Sequence, residues 1–168
     1  RPYIAPAEPV DLGPDPVAAI SLGVGENPAK RLPDPFEEEL VRELGGTGAM
    51  LLLDKGVGRE EADRVERAIR RSRVPQSRVL TWQGSFSTFA AMIRKSRLYV
   101  GYDSAGQHAA AAAGTPLVSV FAGFASHRMF ARWRPTGPGP VAVVRVERPD
   151  PAAVLEETLA AVNRLGVL

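Results

Sequence analysis

Apolar residues follow two different spacings along the chain after residue 16. Short continuous apolar runs, typical of strands buried on both faces, alternate with segments whose apolar residues recur at helical spacing. The runs predict strands at residues 17–23, 49–53, 77–80, 98–102, 116–121 and 141–146. The helical spacing predicts helices at residues 35–44, 60–71, 85–95, 104–113 and 151–165.

Local signals set some of these boundaries and orientations. Gly45 and Gly46 are expected to stop the first helix, because paired glycines favour a helix end. Phe86 and Phe89 are expected to face the core from the third helix. The stretch 122–140 is rich in Gly, Pro, Arg and aromatic residues and is expected to be irregular.

Alternation of strands and helices with short connections favours parallel strands joined by right-handed crossovers. We therefore expect an α/β fold over residues 17–168, a Rossmann-like, doubly wound, mainly parallel sheet of six strands. Residues 1–16 are rich in proline and are expected to form an extended linker. Because the chain starts Arg-Pro-Tyr without an initiator methionine, we expect a piece of a longer protein. The alternative is a mature terminus produced by processing.

Composition excludes several classes of protein. The 168 residues suit one domain, and the chain has no cysteine, which excludes disulfides, thiolate nucleophiles and cysteine-based zinc sites. This fits a cytoplasmic protein, which is the localisation we expect. The net charge of +2 argues against a polybasic nucleic-acid binder. No apolar run approaches the roughly 20 residues that a membrane-spanning helix needs.

Candidate chemistry concentrates after the predicted strands. Ligands of doubly wound sheets bind outside the carboxyl ends of the strands. That rule selects five segments, and these segments contain nearly every unusual residue of the chain. The segments are residues 23–30, 54–61, 81–85, 102–108 and the stretch from 122 onward.

The segment 102–108 has the composition of an anion site at a helix start. Asp103 or Ser104 can cap the helix, and its free first-turn amides attract anions. The small side chains of Ser104, Ala105 and Gly106 let a phosphate approach the backbone. The alternative is an ordinary capped helix, in which His108 has a structural role.

Two further segments supply charge beside this turn. Gly23 and Gly25 permit close approach after the first strand, and Lys30 can neutralise a phosphate, although neither G-x-G-x-x-G nor a P-loop is present. Glu60 and Glu61 can accept hydrogen bonds from ribose hydroxyls. Alternatively, these two acids only favour the dipole of their helix.

The stretch 127–134 is basic and aromatic. It can contact phosphates or an acidic acceptor, or it can pack as a loop on the domain edge. One such cluster on a nearly neutral chain is poor evidence for binding to nucleic acid.

Together these segments resemble glycosyltransferase family 9, the heptosyltransferase-like enzymes of the GT-B fold. Residues 103–111, DSAGQHAAA, resemble the family's D-[TS]-G-x-x-H-x-x-A. Residues 25–33, with Lys30, resemble the family's first-strand loop and its lysine before a W-P pair. Residues 84–87 resemble the turn before the helix that borders the base. The resemblance runs from about Ala18 to Arg134, and more loosely to the end of the sequence.

The resemblance implies a carboxyl-terminal, donor-binding half of an enzyme that transfers a sugar from a nucleotide donor. In the best-known members the donor is ADP-heptose and the acceptor a lipopolysaccharide core. Lys30 then meets the diphosphate, and Glu60 or Glu61 meets the ribose. The remaining expected donor-binding residues flank the strand ends: Gly25, Gly84, Asp103, Ser104, Ala105, Gly106 and His108.

The resemblance also places the catalytic base in an amino-terminal half, so no catalytic residue is expected here. That half would contact the glycolipid acceptor, and the parent would associate with membranes at most peripherally. We expect no metal, no cofactor and no nucleic-acid partner. The isolated chain is expected to bind donor with little or no turnover.

Two residues depart from the family pattern. Ala105 stands where the motif has glycine, with Gly106 one place later, and Leu32 replaces the tryptophan of the W-P pair. Two alternatives follow. One is a non-catalytic nucleotide- or sugar-binding module on the same fold. The other is a different GT-B enzyme, such as a sugar-nucleotide epimerase.

Overall fold

The computed structural model describes residues 10–168, so most of the expected linker at residues 1–16 lies outside the described residues. Within residues 10–168, six strands form one sheet in the order β3-β2-β1-β4-β5-β6, and every pairing is parallel. The strands are β1 (Val17–Ser21), β2 (Met50–Asp54), β3 (Val79–Trp82), β4 (Leu98–Tyr102), β5 (Leu117–Phe121) and β6 (Val141–Arg145). The Rossmann-like α/β fold predicted from the sequence is confirmed.

Helices connect these strands. They are α1 (Phe36–Gly46), α2 (Arg59–Ser72), α3 (Phe86–Lys95), α4 (Ala105–Ala113), α5 (His127–Trp133) and α6 (Pro151–Leu165). Short 3-10 helices occupy Pro28–Lys30 and Gln76–Arg78. The strand predicted at 77–80 therefore begins later, at Val79, because the residues before it form the second 3-10 helix.

The sheet separates two apolar clusters, as its alternating side chains require. Ala18 and Ile20 of β1 belong to the larger cluster, which also holds the buried faces of α1, α2 and α6. Val17 and Ala19 belong to the other, built with α3 and α4. Helices on both faces explain why the strands read as continuous apolar runs.

The strand order reverses between β1 and β4, which lie side by side in the sheet. The crevice outside their carboxyl ends is where doubly wound folds bind ligands. Helix α4 begins at that crevice, and its buried Ala109, Ala110 and Ala111 let it lie close to the sheet.

Helix α1 ends at Gly46, the second glycine of the pair expected to stop it, and so extends two residues beyond the predicted end. Gly45 packs against Val74, and Gly48 takes the left-handed backbone conformation after the helix. Two other local predictions were wrong. The stretch 122–140 contains α5, whose start is capped by the Ser126 hydroxyl. Phe86 is 42% exposed, because as the first residue of α3 it lies at the carboxyl edge of the sheet.

Across the part of the chain that the structure describes, every helix is too short or too polar to cross a bilayer.

Candidate functional site

A cavity of about 360 Å³ lies where the loops after β1, β2, β3 and β4 meet. Its position matches the crevice expected at the reversal of strand order. Six of the residues predicted for the site line it: Gly25, Glu61, Gly84, Ser104, Ala105 and Gly106. The other lining residues are Ser21, Gly23, Asp54, Gly56, Val57, Phe86 and Phe89.

The start of α4 forms one wall of this cavity. Ser104 is the N-cap residue, and the first-turn amides of Ala105 and Gly106 have no partner within the helix by its geometry. Gly106 rests on the ring of Tyr99, and a methyl group there would lie 2.8 Å from the ring carbon Cζ. Ala105 is exposed and carries its methyl group into the cavity wall. The wall therefore offers an anion the amide donors and the positive end of a helix. The methyl group of Ala105 lies in the same wall.

Lys30 lies beside this wall. Its Nζ atom is 2.8 Å from Oδ2 of Asp103 and donates a 3.0 Å hydrogen bond to the Asp103 backbone carbonyl. The Lys30 side chain is 19% exposed and that of Asp103 only 6%. The ion pair thus joins the loop after β1 to the turn after β4 and leaves the ammonium next to Ser104. Of the two residues expected to cap α4, Ser104 occupies the N-cap position, whereas Asp103 pairs with Lys30.

The loop that carries Lys30 is held on its other side by the loop after β5. The Asn27 side chain accepts a 3.1 Å hydrogen bond from the Ala29 amide and donates one of 3.5 Å to the Gly123 carbonyl. A side chain at Gly123, whose φ is +67°, would collide with the Ala29 backbone. Close backbone approach therefore fixes the segment before Lys30.

Glu61 extends from the first turn of α2 into the cavity. Its carboxylate fills the space next to Gly23 and Gly56, where neither glycine has room for a side chain. Burial raises the pKa of Glu61, and the nearby Arg64 opposes that shift. A carboxylate at this place can accept hydrogen bonds from ligand hydroxyls.

Asp54, at the end of β2, is a second acid in the cavity. Its Oδ1 accepts a 3.1 Å hydrogen bond from the Gly56 amide, and burial raises its pKa. Glu60, by contrast, is exposed and is absent from the lining of this cavity. It lines an adjoining cleft of about 390 Å³, which Glu61 and Gly25 also line. Of the two acids, therefore, Glu61 alone reaches the cavity.

Two apolar side chains flank the cavity mouth and were missed as site residues from the sequence. Val57 and Phe86 both line the cavity, and Val57 is 95% exposed. Exposed apolar groups at a cavity mouth suit a flat ring system. The sequence indicates a site role for these two residues only through their position, since both follow the carboxyl end of a strand.

A buried polar chain lies behind Asp103. Gln107 of α4 is fully buried, donates to Oδ1 of Asp103, and accepts a 2.5 Å hydrogen bond from the Ser119 hydroxyl of β5. His108 is half-buried beside Trp133, with ring centroids 6.4 Å apart, and lies outside the cavity lining. Sequence reasoning named His108 and overlooked the neighbouring glutamine.

Leu32, which replaces the family's tryptophan, is a core residue. It is 1% exposed, and its amide donates a 3.2 Å hydrogen bond to the Tyr102 hydroxyl. That hydroxyl donates to Glu37, which also accepts a 3.1 Å hydrogen bond from Arg31. Burial raises the pKa of Glu37. Leu32 thus anchors the loop after Lys30 to the protein interior.

Within residues 10–168, no three His, Cys, Asp or Glu side chains gather closely enough to hold a metal ion.

Residues 5–158 match the family model of glycosyltransferase family 9 (heptosyltransferase). The match begins before Ala18 and extends past Arg134, into the part where a looser resemblance was expected. No curated protein matches the chain.

Solved structures show a similar fold. A glycosyl transferase family 9 protein from Veillonella parvula DSM 2008 is 19% identical, with a TM-score of 0.69 over 90% of this chain and 46% of its own. E. coli ADP-heptose LPS heptosyltransferase II is 23% identical, with a TM-score of 0.66 over 89% and 47%. E. coli heptosyltransferase WaaC with ADP-2-deoxy-2-fluoro heptose is 19% identical, with a TM-score of 0.65 over 89% and 42%. The chain spans about half the length of these proteins.

Proposed function

This chain belongs to glycosyltransferase family 9, and we propose that residues 17–168 form the half that binds the nucleotide-sugar donor. The longer protein would transfer a sugar from that donor to an acceptor. The chain by itself would bind donor with little or no turnover, because the proposed catalytic base belongs to an amino-terminal half.

One observation carries the proposal: the cavity brings together an anion-binding helix start, a carboxylate and an apolar mouth. These three surfaces suit a diphosphate, a ribose and a base, in that order along one nucleotide. They come from four different loops that meet in one cavity of about 360 Å³. That volume lies within the usual range for small-molecule sites.

Each part of the donor has a proposed partner. The diphosphate would lie against the first-turn amides at Ser104–Gly106, with the Lys30 ammonium supplying positive charge. Glu61, which projects into the cavity, is favoured over the exposed Glu60 as the acceptor for ribose hydroxyls. The base would lie near Gly84, between Val57 and Phe86. We propose no direct donor contact for His108, which points toward Trp133.

The chemistry assigned to this half is stabilisation of the leaving group. In sugar transfer an acceptor hydroxyl oxygen bonds to the anomeric carbon, and the bond from that carbon to the diphosphate oxygen breaks. The acceptor proton passes to a general base. The negative charge that develops on the nucleoside diphosphate would be stabilised by Lys30 and the start of α4.

We propose an ADP-heptose-like donor and a lipopolysaccharide-type acceptor. The support is the family match, together with the E. coli heptosyltransferases of similar fold, one of which was solved with an ADP-heptose analogue. The acceptor would contact mainly the amino-terminal half. The parent would act in the cytoplasm, associated with membranes at most peripherally.

Calorimetric titration of the chain with ADP, UDP and GDP tests donor binding. We expect saturable binding of ADP, weakened roughly tenfold or more by Lys30→Ala, since a charge-assisted hydrogen bond would be lost. Lys95→Ala, an exposed lysine at the far end of α3, is the matched control and should bind like wild type. Absence of binding to all three nucleotides would contradict the proposal.

Product analysis with the longer protein tests the reaction. Release of ADP with a new glycosidic bond on the acceptor supports transfer. Appearance of an epimerised donor sugar would instead assign the protein to the sugar-nucleotide epimerases.

A second candidate function is a nucleotide- or sugar-binding module without transferase activity. The observation that favours it is the exposed methyl group of Ala105 in the wall proposed for the diphosphate. Donor binding by the longer protein, without any product after prolonged incubation, would support this candidate.

A further inference from the structure

Two polar side chains are buried where the fold offers mainly apolar neighbours. Gln107 and Ser119 are both 0% exposed, in an alanine-rich helix and in the middle of an otherwise apolar strand. Buried amides and hydroxyls cost free energy unless they are hydrogen-bonded. Their presence therefore calls for a reason that packing alone does not give.

The hydrogen bonds of these residues form a directed chain toward the proposed diphosphate site. The Ser119 hydroxyl donates to Oε1 of Gln107 at 2.5 Å, and Nε2 of the same amide donates to Oδ1 of Asp103. The second oxygen of that carboxylate, Oδ2, pairs with Nζ of Lys30 at 2.8 Å. Both carboxylate oxygens are thus used, one by the amide and one by the ammonium.

Ser119 holds the oxygen end of the Gln107 amide. The Asp103 carboxylate and the Trp133 carbonyl only accept hydrogen bonds, so the amide turns its nitrogen toward them. Its oxygen then faces Ser119, whose hydroxyl donates to it and holds the amide in that place. A carboxylate held in one orientation then presents Oδ2 to the ammonium in one place. Since Ser119 lies in the central part of β5, which pairs with β4 at Gly101 and β6 at Val143, the chain begins on a rigid element.

We propose that Gln107 and Ser119 are positioning residues that hold Asp103, and through it the Lys30 ammonium, in place for the donor diphosphate. The role rests on the proposed function, because Lys30 is there assigned to the diphosphate. Neither positioning residue touches the ligand. Their removal should therefore weaken binding of the diphosphate and leave recognition of the nucleoside unchanged.

The first test follows the Lys30 ammonium without any nucleotide. The chain has only three lysines, Lys30, Lys55 and Lys95, so acetylation by an amine-reactive reagent can be followed for each by mass spectrometry. In wild type, Lys30 should react more slowly than the exposed Lys95. Ser119→Ala should raise the acetylation rate of Lys30 about threefold or more, because the ion pair with Asp103 would open more often. The acetylation rate of Lys95 should not change.

The second test compares ADP with adenosine as probes. Ser119→Ala should weaken ADP binding roughly fivefold and leave adenosine binding within error, as expected for loss of one buried hydrogen bond. Ser119→Thr, which keeps the hydroxyl, should restore ADP binding. Thr158→Val is the matched control, because the Thr158 hydroxyl is also fully buried but donates to Val154 in α6.

Each outcome decides a different point. An unchanged Lys30 rate in Ser119→Ala overturns the proposal, as does a parallel loss of ADP and adenosine binding. Failure of wild type to bind any of ADP, UDP and GDP overturns the proposed function, while the acetylation rates still decide whether the hydrogen-bond chain holds Lys30. If Ser119→Ala does not fold, Gln107→Met gives a second variant of the same chain. If Gln107→Met does not show the same rise in the acetylation rate of Lys30, the proposal fails.

Discussion

The ring of Tyr99 lies directly beneath Gly106, so a side chain on that residue would meet ring atoms at the start of α4. Tyr99 is fully buried in β4, and its ring cannot retreat without disturbing the smaller apolar cluster. The glycine that follows Ala105 is therefore required by packing. The position one residue earlier, at the cavity wall, is free of that constraint.

Gly106→Ala is expected to lower the free energy of unfolding by ~1–3 kcal/mol, because the added methyl group overpacks against Tyr99. Urea unfolding followed by circular dichroism measures the change. Gly46→Ala is the control, since a methyl group there meets nothing within 4 Å among the described residues. That substitution should stabilise the protein by up to ~1 kcal/mol, as alanine favours a helix. Equal effects of both substitutions would contradict the packing role of Tyr99.

Ala105→Gly is expected to tighten ADP binding about threefold. Removal of the exposed methyl group lets the phosphates approach the first-turn amides more closely, and one such contact contributes on the order of 1 kcal/mol. Calorimetric titration measures the affinity. Ala113→Gly, an exposed alanine at the other end of the same helix, controls for the weaker helix propensity. Unchanged affinity in Ala105→Gly would show that this methyl group does not face the phosphates.

Glu61→Ala is expected to remove most of the preference for ADP over 2′-deoxy-ADP. Glu61 lines the cavity, whereas the neighbouring Glu60 lines only the adjoining cleft. Loss of a hydrogen bond to a charged group corresponds to roughly tenfold in affinity. Glu60→Ala should keep the preference of the wild type. If instead Glu60→Ala removes it, the assignment of the two acids is reversed.

The stability of the protein should fall as pH rises through the titration of Asp54. Burial raises the pKa of this carboxyl above its ordinary 3.8 in the folded state. Between those two pKa values the folded state binds more protons than the unfolded state, so the free energy of unfolding decreases with rising pH. Urea unfolding from about pH 4 upward measures that slope.

Asp54→Asn should reduce this slope, because an amide does not titrate. Part of the slope should remain, because burial also raises the pKa of Glu37 and Glu61. Asp63→Asn, on the exposed side of α2, serves as the control and should keep the slope of the wild type. A slope in Asp54→Asn as steep as that of the wild type would contradict the prediction and assign the pH dependence to other acids, such as Glu37.

The fold was predictable from the sequence because continuous apolar runs and helical spacing are both local patterns. Helix α6 and strand β4 both begin and end at the predicted residues. The end of α1 was predicted to within two residues, because a glycine in the last turn of a helix and a glycine just after it look alike in sequence.

The sequence predicted which segments form the candidate site better than it predicted which side chains line it. The rule that ligands bind outside the carboxyl ends of the strands selected the loops that meet in the cavity. That rule could not distinguish Glu60 from Glu61. That distinction depends on the helical phase of α2. Gln107 and Ser119 lie twelve residues apart, and nothing local indicates that their side chains meet.

The close approach of Gly123 to Ala29 has a consequence for the energetics of recognition. A backbone segment packed this tightly before ligand arrives, and tied again by the ion pair of Lys30, has little conformational entropy left to lose. That ordering is completed when the protein folds. Association of a diphosphate should therefore be limited by diffusion and desolvation rather than by loop rearrangement, and a side chain at residue 123 would slow it by restoring that motion.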